Sequence, residues 1–466
     1  MNDSVNEFKF LKDIIKDLTE AGCQCFIVGG WVIDNIRNRE SKDIDIEVYK
    51  ISYQVLTNML SKFGKVSLVG KSFGIVKLSF QGWDLDFNIP RNDRSIGIGH
   101  KDFEIVMDPD MDPKEAARRR DFTINSLYQE LIVENDELIL GDIIDHFGGL
   151  KDLENGVLRA TDPTTFVEDP LRALRAMQIL ARKCKTIDPD TLGLCGSLKD
   201  SLSKEPKERL YEEFHKLLMK AKKPSVGIEY LKDSGLIDLF PELKDLIGCE
   251  QNIIWHPEGD VWVHSLRAVD FAAMGRDDGS IPEGWEVAFM FGVLLHDIGK
   301  PSVTTLELRA HGHAEAGEPI SRQFMERLTT ETDLLTKVTC IVKNHMRSNS
   351  LSDPKNKSKG SAWKRLHNCL RLDVAGLMGK VDACASSLTK TWENDHASLP
   401  KAMEMMSGLS IDEKGKVTQV LMGRHLILKG HNPGIEFKQI LDRAYEYQLD
   451  TDCEDIEILY NVGISK

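Results

Sequence analysis

Apolar residues recur every three or four positions near the beginning of the chain, and strand-like runs follow them. The pattern over residues 7–22 predicts an amphipathic helix that stops at Gly22. Short apolar runs typical of strands lie at 25–28, 44–49, 66–69, 74–80 and 83–89, with a helix near 51–63. This mixture predicts a small α+β sheet domain at the start of the chain.

The strand signals fade from about residue 165, and amphipathic helical patterns replace them. These segments are 169–183, 206–221, 225–234, 262–274, 286–296 and 320–328. Breaks that contain proline and glycine near 241–259 and 275–284 mark domain boundaries. The pattern therefore predicts that the rest of the chain is mainly helical.

Two carboxylates one residue apart lie on a predicted strand. Asp43 and Asp45 are at positions i and i+2, so both point to one face, roughly 6–7 Å apart. Carboxylate oxygens in this arrangement suit hard divalent cations such as Mg²⁺. Upstream, Gly29 and Gly30 close a strand and precede a predicted helix from Trp31, as a phosphate-binding turn would. The segment predicts a phosphoryl-transfer site.

Composition limits the class of protein. The 466 residues are 41% hydrophobic and 29% charged, which is typical of a globular protein with several domains. No apolar run is long enough for a membrane span, the N-terminus lacks a signal pattern, and nine scattered cysteines favour reduced thiols. We therefore expect a cytoplasmic protein with no membrane contact.

Net charge argues against a polybasic nucleic-acid binder, because the chain carries a formal charge of −14. Residues 170–225 nevertheless hold 13 Lys and Arg against 7 Asp and Glu. This local excess fits a helical stripe that follows phosphates and fits a solvated helix face equally well.

A cationic run joins an aspartate and an asparagine in the segment 118–125, which reads ArgArgArgAspPheThrIleAsn. Guanidinium forks such as that of Arg120 match phosphate oxygens. The side chains of Asp121 and Asn125 suit hydrogen bonds to ribose hydroxyls. Alone, such a run is an ordinary surface feature.

A second cluster begins a predicted helix, in the segment GluAspProLeuArg at 168–172. Asp169 and Arg172 are three positions apart, hence on one face, where an acceptor beside donors suits the edge of a base. Arg175 lies one turn further on and suits a phosphate. Asp86, with Asp84, repeats the i, i+2 pair and offers a third metal ligand. The ordinary alternatives are a helix cap and solvent-facing carboxylates.

In this order, the motifs resemble those of the class II tRNA nucleotidyltransferase and bacterial poly(A) polymerase family. The likeness covers roughly residues 20–240 and includes the segment AspHisPheGlyGlyLeuLysAspLeu at 145–153. It implies a polymerase-β-like head followed by a helical neck. The resemblance implies that Asp43 and Asp45 are metal ligands. It implies Asp86 as the third carboxylate, because Arg91 follows it at the family's interval. It further implies contacts to the incoming nucleotide from Gly29, Gly30, Arg120 and Arg175, to the ribose from Asp121 and Asn125, and to the base of CTP or ATP from Asp169 and Arg172.

The chain departs from that family at Ile33, where an arginine usually helps to bind triphosphate. Losing one charge-assisted contact costs about 1.5–3 kcal/mol unless another cation replaces it. Lys71 and Arg37 are the candidate replacements.

A second metal site is indicated downstream by His296 and Asp297, which end an apolar helix and are followed by IleGlyLys. Mixed nitrogen and oxygen ligands suit transition metals, and Mg²⁺ also remains open. The region resembles an HD phosphohydrolase domain, whose implied ligands are His264, His296, Asp297, His313, His345 and Asp382, with His311 competing for the place of His313. The resemblance implies a phosphatase or 2′,3′-cyclic phosphodiesterase that uses Ni²⁺, Mn²⁺ or Mg²⁺.

The expected layout is a nucleotidyltransferase head at 1–150, a helical neck at 151–240, an HD domain at 241–400 and a helical tail at 401–466. The expected fold class is an α+β polymerase-β-like head followed by an all-α neck, HD domain and tail. In the tail, Lys429 and Lys438 are candidates for holding the tRNA acceptor arm, or they belong to a face that only packs.

The expected function is addition or repair of the tRNA 3′-terminal CCA with CTP and ATP, with Mg²⁺ in the head. The alternatives are a poly(A) polymerase, or an HD phosphohydrolase whose head has become an RNA-binding module. The sequence leaves a monomer and a homodimer equally open.

Overall fold

The structure is a computed structural model that describes residues 9–39, 44–67, 74–95, 103–355, 359–393 and 396–465. Asp43 and Lys71 therefore lie outside the described residues. The chain forms two compact units. The first unit comprises Met1–Glu213 and Tyr230–Leu239, and the second unit comprises Phe214–Glu229 and Phe240–Lys466.

The first unit is built around a seven-stranded sheet. Its strands are β1 (Gln24–Val28), β2 (Ile44–Tyr49), β3 (Lys65–Ser67), β4 (Ile75–Phe80), β5 (Trp83–Asn88), β8 (Tyr128–Glu134) and β9 (Glu137–Ile144), and a separate hairpin pairs β6 (Arg91–Ser95) with β7 (Phe103–Met107). The spatial order is β3-β4-β5-β2-β1-β8-β9. Only the pair β2 and β5 is parallel within this sheet. The predicted α+β head is confirmed.

Strand β2 shows why the sheet has one apolar and one polar face. Ile44, Ile46 and Val48 alternate along it and are buried in the core. The intervening positions, Asp45 and Glu47, bring carboxylates to the opposite face. The strand thus anchors the core and presents acidic groups at the same time.

Helices cover the sheet and continue the first unit. They are α1 (Lys12–Glu20), α2 (Gly30–Ile36), α3 (Tyr53–Leu60), α4 (Pro113–Arg118), α5 (Gly149–Asn155), α6 (Pro163–Phe166), α7 (Leu171–Lys183), α8 (Pro189–Ser197) and α9 (Lys199–Leu202), with a short parallel pair β10 (Val157–Leu158) and β11 (Thr186–Ile187). The predicted helix over 7–22 is confirmed as α1, which buries Ile14, Ile15 and Leu18.

Two further helices, α10 (Lys207–Lys220) and α11 (Pro224–Asp233), each contribute residues to both units. The remaining helices belong to the second unit: α12 (Pro241–Lys244), α13 (Val261–Asp277), α14 (Glu286–Leu295), α15 (Lys300–Val303), α16 (His313–Glu326), α17 (Thr332–Ser352), α18 (Gly360–Cys369), α19 (Leu372–Ala385), α20 (Ser398–Ser407), α21 (Gly423–Leu428), α22 (Ile435–Thr451) and α23 (Ile456–Ile464). The prediction of a mainly helical remainder is confirmed.

Helix α14 is the central element of the second unit. Its residues 288–295 are all buried, and it packs against α13 and α17. The approach of α17 is close at Gly292, where a Cβ atom would lie 2.8 Å from Cγ2 of Ile341. In the part of the chain that the structure describes, no helix has the length and apolar character needed to cross a bilayer.

Candidate functional sites

The carboxylates of the first unit meet where β2 and β5 run side by side. Asp45 and Asp86 are register partners in this parallel pair, so the two side chains lie on neighbouring strands about 4.8 Å apart. Asp86 Oδ2 accepts a hydrogen bond from Lys77 Nζ at 2.8 Å. Because Asp43 lies outside the described residues, its predicted place beside Asp45 stays a prediction.

The glycine turn lies beside these carboxylates. Gly29 has a φ of 72°, in the left-handed region that favours glycine. A Cβ atom on Gly29 would lie 3.6 Å from Arg120 Nη1 and 3.7 Å from Asp45 Oδ2. The turn, one cation and one acidic group of the predicted site are therefore brought together.

Of the two predicted replacements for the missing arginine, Lys71 lies outside the described residues, and Arg37 has another partner. Ile33 is fully buried in α2, and Arg37 Nη2 donates to the backbone carbonyl of Lys183 at 2.7 Å. The Lys183 ammonium itself lies 3.7 Å from the position that a Cβ on Gly30 would take. Burial lowers the pKa of Lys183. This lysine comes from the last turn of α7, so local sequence gave no sign of it.

Arg120 is held by an acidic residue that sequence reasoning missed. Its Nη2 donates to Glu47 Oε2 at 2.6 Å, and its Nε donates to the Tyr128 hydroxyl at 3.2 Å. Tyr128 and Tyr49 both donate to Glu47 Oε1. Burial opposes the charge of Arg120, but Tyr128 and Glu47 raise its pKa above the ordinary value. The signal for Glu47 was its position two residues after Asp45, on the same strand face.

Asp121 organises two of the predicted nucleotide-binding residues. Its Oδ1 accepts from Asn125 Nδ2 at 2.9 Å, and its Oδ2 accepts from Arg175 Nε at 2.9 Å and Nη2 at 2.8 Å. Burial would raise the pKa of Asp121, but Arg175 and Asn125 lower it. The structure brings the three residues together and pairs Arg175 with a carboxylate of the protein.

Asp169 and Arg172 contact different partners. The helix begins at Leu171, so Asp169 lies before it, and Asp169 Oδ2 pairs with Arg209 Nη2 at 3.1 Å. Arg172 donates to the backbone carbonyls of Thr165 and Arg119, at 2.7 and 2.6 Å. The expectation that both residues lie on one helix face is wrong for Asp169, because Pro170 is the N-cap and Asp169 therefore precedes the helix. Their role in reading a base stays a prediction.

A cavity of about 250 Å³ opens between the strands and these arginines. Its charged and polar lining comprises Glu47, Asn88, Arg91, Arg119, Arg120 and Arg172. Four guanidinium groups at one cavity form an environment suited to phosphate oxygens. Arg119, which also pairs with Glu168 Oε2 at 2.7 Å, is a further residue that the sequence prediction had not selected.

Buried histidines form a second site in the second unit. His296 and Asp297 follow directly on the apolar helix α14, as the sequence predicted. The other predicted ligands arrive from surrounding helices: His264 from α13, His313 from α16, His345 from α17 and Asp382 from α19. His311 lines the neighbouring cavity, and His313 is the one that lies in the cluster.

Each of the four imidazoles has an acceptor at Nδ1. The carbonyls of Val293, Ala310 and Val342 lie 2.7 Å from Nδ1 of His296, His313 and His345 respectively. Glu258 Oε1 lies 2.8 Å from Nδ1 of His264. Because a carbonyl oxygen can only accept, Nδ1 of His296, His313 and His345 carries a proton, and Nε2 of all four rings faces the centre of the cluster. A ring that is protonated at Nδ1 binds a metal ion through Nε2 once Nε2 has lost its own proton.

The Nε2 atoms form two pairs around one carboxylate. Nε2 of His264 lies 3.0 Å from that of His296, and Nε2 of His313 lies 3.0 Å from that of His345. Asp297 Oδ2 is 3.3 Å from His296 Nε2, and Asp297 Oδ1 is 3.3 Å from His313 Nε2. Each histidine pair forms, together with Asp297, a group of donor atoms that suits a divalent ion, because in both groups one ligand atom from each residue lies within 4.8 Å of the others.

Charge in this cluster is controlled by neighbouring groups. Burial opposes protonation of His264, but Asp382 and Glu258 raise its pKa to about 9. Burial, together with His296, lowers the pKa of His345 to about 3. Burial would raise the pKa of Asp297, but Lys300 and the histidines lower it well below the ordinary value. Asp297 is thus ionised and ready to act as a ligand.

Several supporting residues were not selected from the sequence. Glu258 bridges His264 and His256, whose Nδ1 lies 2.9 Å from Glu258 Oε1. Burial would raise the pKa of Glu258, but the two histidines lower it to about 2. Lys300 Nζ lies 2.6 Å from Asp297 Oδ2, and Asn349 donates to Asp382 Oδ2 at 3.2 Å. The HisProGlu and IleGlyLys segments were the available signals.

Models of known protein families match three parts of the chain. A family described as "Poly A polymerase head domain" matches residues 25–159. One described as "Probable RNA and SrmB- binding site of polymerase A" matches residues 186–247, and one described as "HD domain" matches residues 261–376. The first match includes Asp45, Asp86 and Arg120, and the third includes every predicted ligand of the histidine cluster except Asp382.

Whole-protein comparisons agree with these family models. The multifunctional CCA protein of Psychromonas ingrahamii is 33% identical over 332 residues, which cover 69% of this chain and 74% of that protein. A solved structure of a CCA-adding enzyme in its apo form II has a TM-score of 0.62 at 19% identity, covering 99% of this chain and 95% of that one. The Thermotoga maritima CCA-adding enzyme complexed with tRNA_CCA has a TM-score of 0.58 at 18% identity, covering 100% and 96%. At these identities the solved structures show the shared fold.

Proposed function

The chain belongs to the family of multifunctional CCA proteins, and from this membership we propose that it builds or repairs the 3′-terminal CCA of tRNA with CTP and ATP. It is thus a nucleotidyltransferase with an additional HD domain. The single observation that carries the proposal is the parallel register of Asp45 and Asp86 beside Gly29 and Arg120. This arrangement combines acidic ligands with a phosphate-binding turn and a cation.

In the proposed reaction, the 3′-hydroxyl oxygen of the RNA attacks the α-phosphorus of CTP or ATP. A new phosphodiester bond forms, the bond from the α-phosphorus to the bridging oxygen breaks, pyrophosphate leaves, and the hydroxyl proton passes to solvent. Mg²⁺ held by Asp43, Asp45 and Asp86 would supply charge neutralisation at the attacking and leaving oxygens. These three carboxylates are our proposed catalytic residues.

The remaining residues of the first unit bind and orient the nucleotide in this proposal. Arg120 and Lys183 attract the triphosphate at the turn of Gly29 and Gly30. Asp121 orients the amide of Asn125 toward the ribose and holds Arg175 in place. Asp169 and Arg172 select the base. Their present partners, Arg209 and two backbone carbonyls, fix both side chains before a nucleotide enters.

We further propose that the HD domain is a phosphatase or 2′,3′-cyclic phosphodiesterase. Ions such as Ni²⁺, Mn²⁺ or Mg²⁺ held by the predicted ligands would supply an activated water molecule. The water oxygen forms a bond to phosphorus, and the phosphorus bond to the 2′- or 3′-oxygen breaks and leaves that oxygen with a proton. Lys300 and the histidines hold the Asp297 carboxylate in position at the site. Where the cleavage leaves a free 3′-hydroxyl, the product is an RNA end that the transferase can extend.

The test uses tRNA that lacks CCA, labelled CTP or ATP, and Mg²⁺. We expect incorporation of both nucleotides by the wild type, its loss in Asp45→Ala, and its retention in Asp297→Ala. Long A tails without use of CTP would instead indicate a poly(A) polymerase. Absence of any incorporation, with phosphohydrolase activity that only Asp297→Ala abolishes, would overturn the proposal in favour of a hydrolase with an RNA-binding head.

A further inference from the structure

An exposed apolar segment lies directly before the histidine cluster of the second unit. The segment 253–255 reads IleIleTrp, and its side chains are 67%, 78% and 74% exposed. Single exposed apolar residues are common, but three in succession at the opening of a polar site are not explained by the fold. The third of them, Trp255, lines the cavity that leads to Asp297 and Asp382.

The backbone around Trp255 is held in a defined turn. The amides of Trp255 and His256 donate to the carbonyl of Asn252 at 3.0 and 2.8 Å, and the amide of Ile254 donates to Asn252 Oδ1 at 3.0 Å. Gln251, at the start of this turn, accepts from Lys300 Nζ at 2.7 Å. Lys300 also contacts Asp297, so the turn is tied to the metal-binding cluster. The backbone that carries the indole is therefore tied to the cluster.

Two chemically different groups of side chains line the cavity. The cavity encloses about 410 Å³, a volume in the range of small-molecule sites and larger than a phosphate group needs. Asp297, Lys300, His313 and Asp382 suit a phosphate and its metal ions. Trp255, Leu308, Ala310 and Met346 suit a flat apolar group. A nucleotide has both parts.

We infer that Trp255 stacks on the base of the terminal nucleotide while the 2′- or 3′-phosphate lies at the histidine cluster, so that the site favours phosphates that carry a base. This inference rests on the proposed phosphohydrolase function. Every base presents a π face, so stacking discriminates bases from baseless phosphates and only weakly among bases. Trp255 is in this sense a determinant of specificity.

The test compares substrates with and without a base on the full-length protein supplied with Mn²⁺ or Ni²⁺. One pair is 3′-AMP and glycerol 2-phosphate, and the other is adenosine 2′,3′-cyclic phosphate and glycerol 1,2-cyclic phosphate. For Trp255→Ala we expect KM to rise roughly 5- to 150-fold for the adenosine substrates, with kcat within twofold and baseless substrates unaffected. Trp255→Tyr should restore most of the lost affinity.

A matched control is Leu306→Ala, because Leu306 is 99% exposed and does not line the cavity. It should behave as the wild type with all four substrates. As a reading independent of turnover, equilibrium dialysis of labelled 3′-AMP should show weaker retention by Trp255→Ala than by either the wild type or the control.

The two possible failures differ. If the wild type hydrolyses none of the four substrates, the phosphohydrolase proposal fails, and the dialysis alone decides on Trp255. If the wild type hydrolyses them and Trp255→Ala has unchanged kinetics and retention, base stacking is wrong and the segment serves another partner, such as a protein. If Trp255→Ala lost activity equally on the adenosine substrates and on the glycerol substrates, the inference would also be overturned.

Discussion

At the scale of single residues, the cations of the first unit are paired before any nucleotide arrives. Arg120 is bound to Glu47, and Arg175 is bound to Asp121, with both acidic side chains about nine-tenths buried. Removing one partner from a buried ion pair costs about 3–5 kcal/mol, because the other charge stays buried. The motifs indicated these cations, but their partners lie 73 and 54 positions away, a distance that no local pattern spans.

Lys183 also shows what a local sequence pattern cannot reveal. The sequence revealed that a cation was missing at Ile33, but the chain supplies one at the turn from the end of a helix far along the sequence. Only the packing of α7 beside the turn makes this visible. The Ile33 position itself is part of the core and offers no space for a charge.

The first prediction concerns Gly29. We expect Gly29→Ala to lose CTP incorporation by about tenfold or more, because a side chain at a φ of 72° costs about 1–2 kcal/mol and the turn shifts from Arg120 and Asp45. Initial rates at varied CTP concentration would measure this change.

Gly22→Ala is the matched control, since Gly22 has a φ of 87° and open space around its Cβ position. It should lose similar thermal stability and keep its rate of incorporation. Equal rates for the two variants would contradict a role of Gly29 in positioning the site.

At the scale of elements, strong periodicity gave several of the helices and missed two hairpins, that of β6 and β7 and that of β8 and β9. The helix predicted over 286–296 is observed as α14, ending one residue earlier. The hairpin of β8 and β9 was not predicted, because a bulge between Gln129 and Leu131 interrupts the alternation. A usable signal did exist: Asn135 and Asp136, which join the strands, both have positive φ, as a tight hairpin turn requires.

The turn before α13 orients the metal-binding cluster through Glu258. We expect Glu258→Ala to weaken divalent-metal binding by about 10- to 100-fold, because His264 loses the acceptor that fixes its Nδ1 proton and ring orientation. Calorimetric titration of the metal-free protein with Mn²⁺ or Ni²⁺ would measure the affinity.

Glu315→Ala serves as the control, because Glu315 is exposed in the first turn of α16, two residues from His313. Its metal affinity should match that of the wild type. If both variants lost metal affinity to the same extent, the effect would come from negative charge near the cluster, and Glu258 would have no special role in orienting His264.

At the scale of the whole molecule, the chain consists of two units that each contain a core and a candidate site. A cluster centred on Phe26, Val28 and Tyr128 belongs to the first unit, and one centred on Leu426, Ile440 and Leu459 belongs to the second. The predicted order of a mixed head and a helical remainder was readable from the periodicity. The three predicted boundaries between the four segments stay predictions.

Metal binding at the histidine cluster should stabilise the second unit. At a free Mn²⁺ or Ni²⁺ concentration of 100 times Kd, one bound ion adds about 2.7 kcal/mol to the free energy of unfolding. We expect differential scanning calorimetry to show a rise in Tm for one transition, which Asp297→Ala abolishes and Asp45→Ala preserves. A rise that depends on Asp45 and not on Asp297 would contradict this assignment.

The close approach of α14 and α17 at Gly292 has a consequence for the distances within the cluster. Gly292 lies one turn before His296, and its contact Ile341 lies one turn before His345. The interhelical gap there is set by the absence of a single methyl group, and the two imidazoles next to it have centroids 5.2 Å apart. The spacing of these two imidazoles is thus inherited from the van der Waals contact of one apolar side chain with a residue that has no side chain at all.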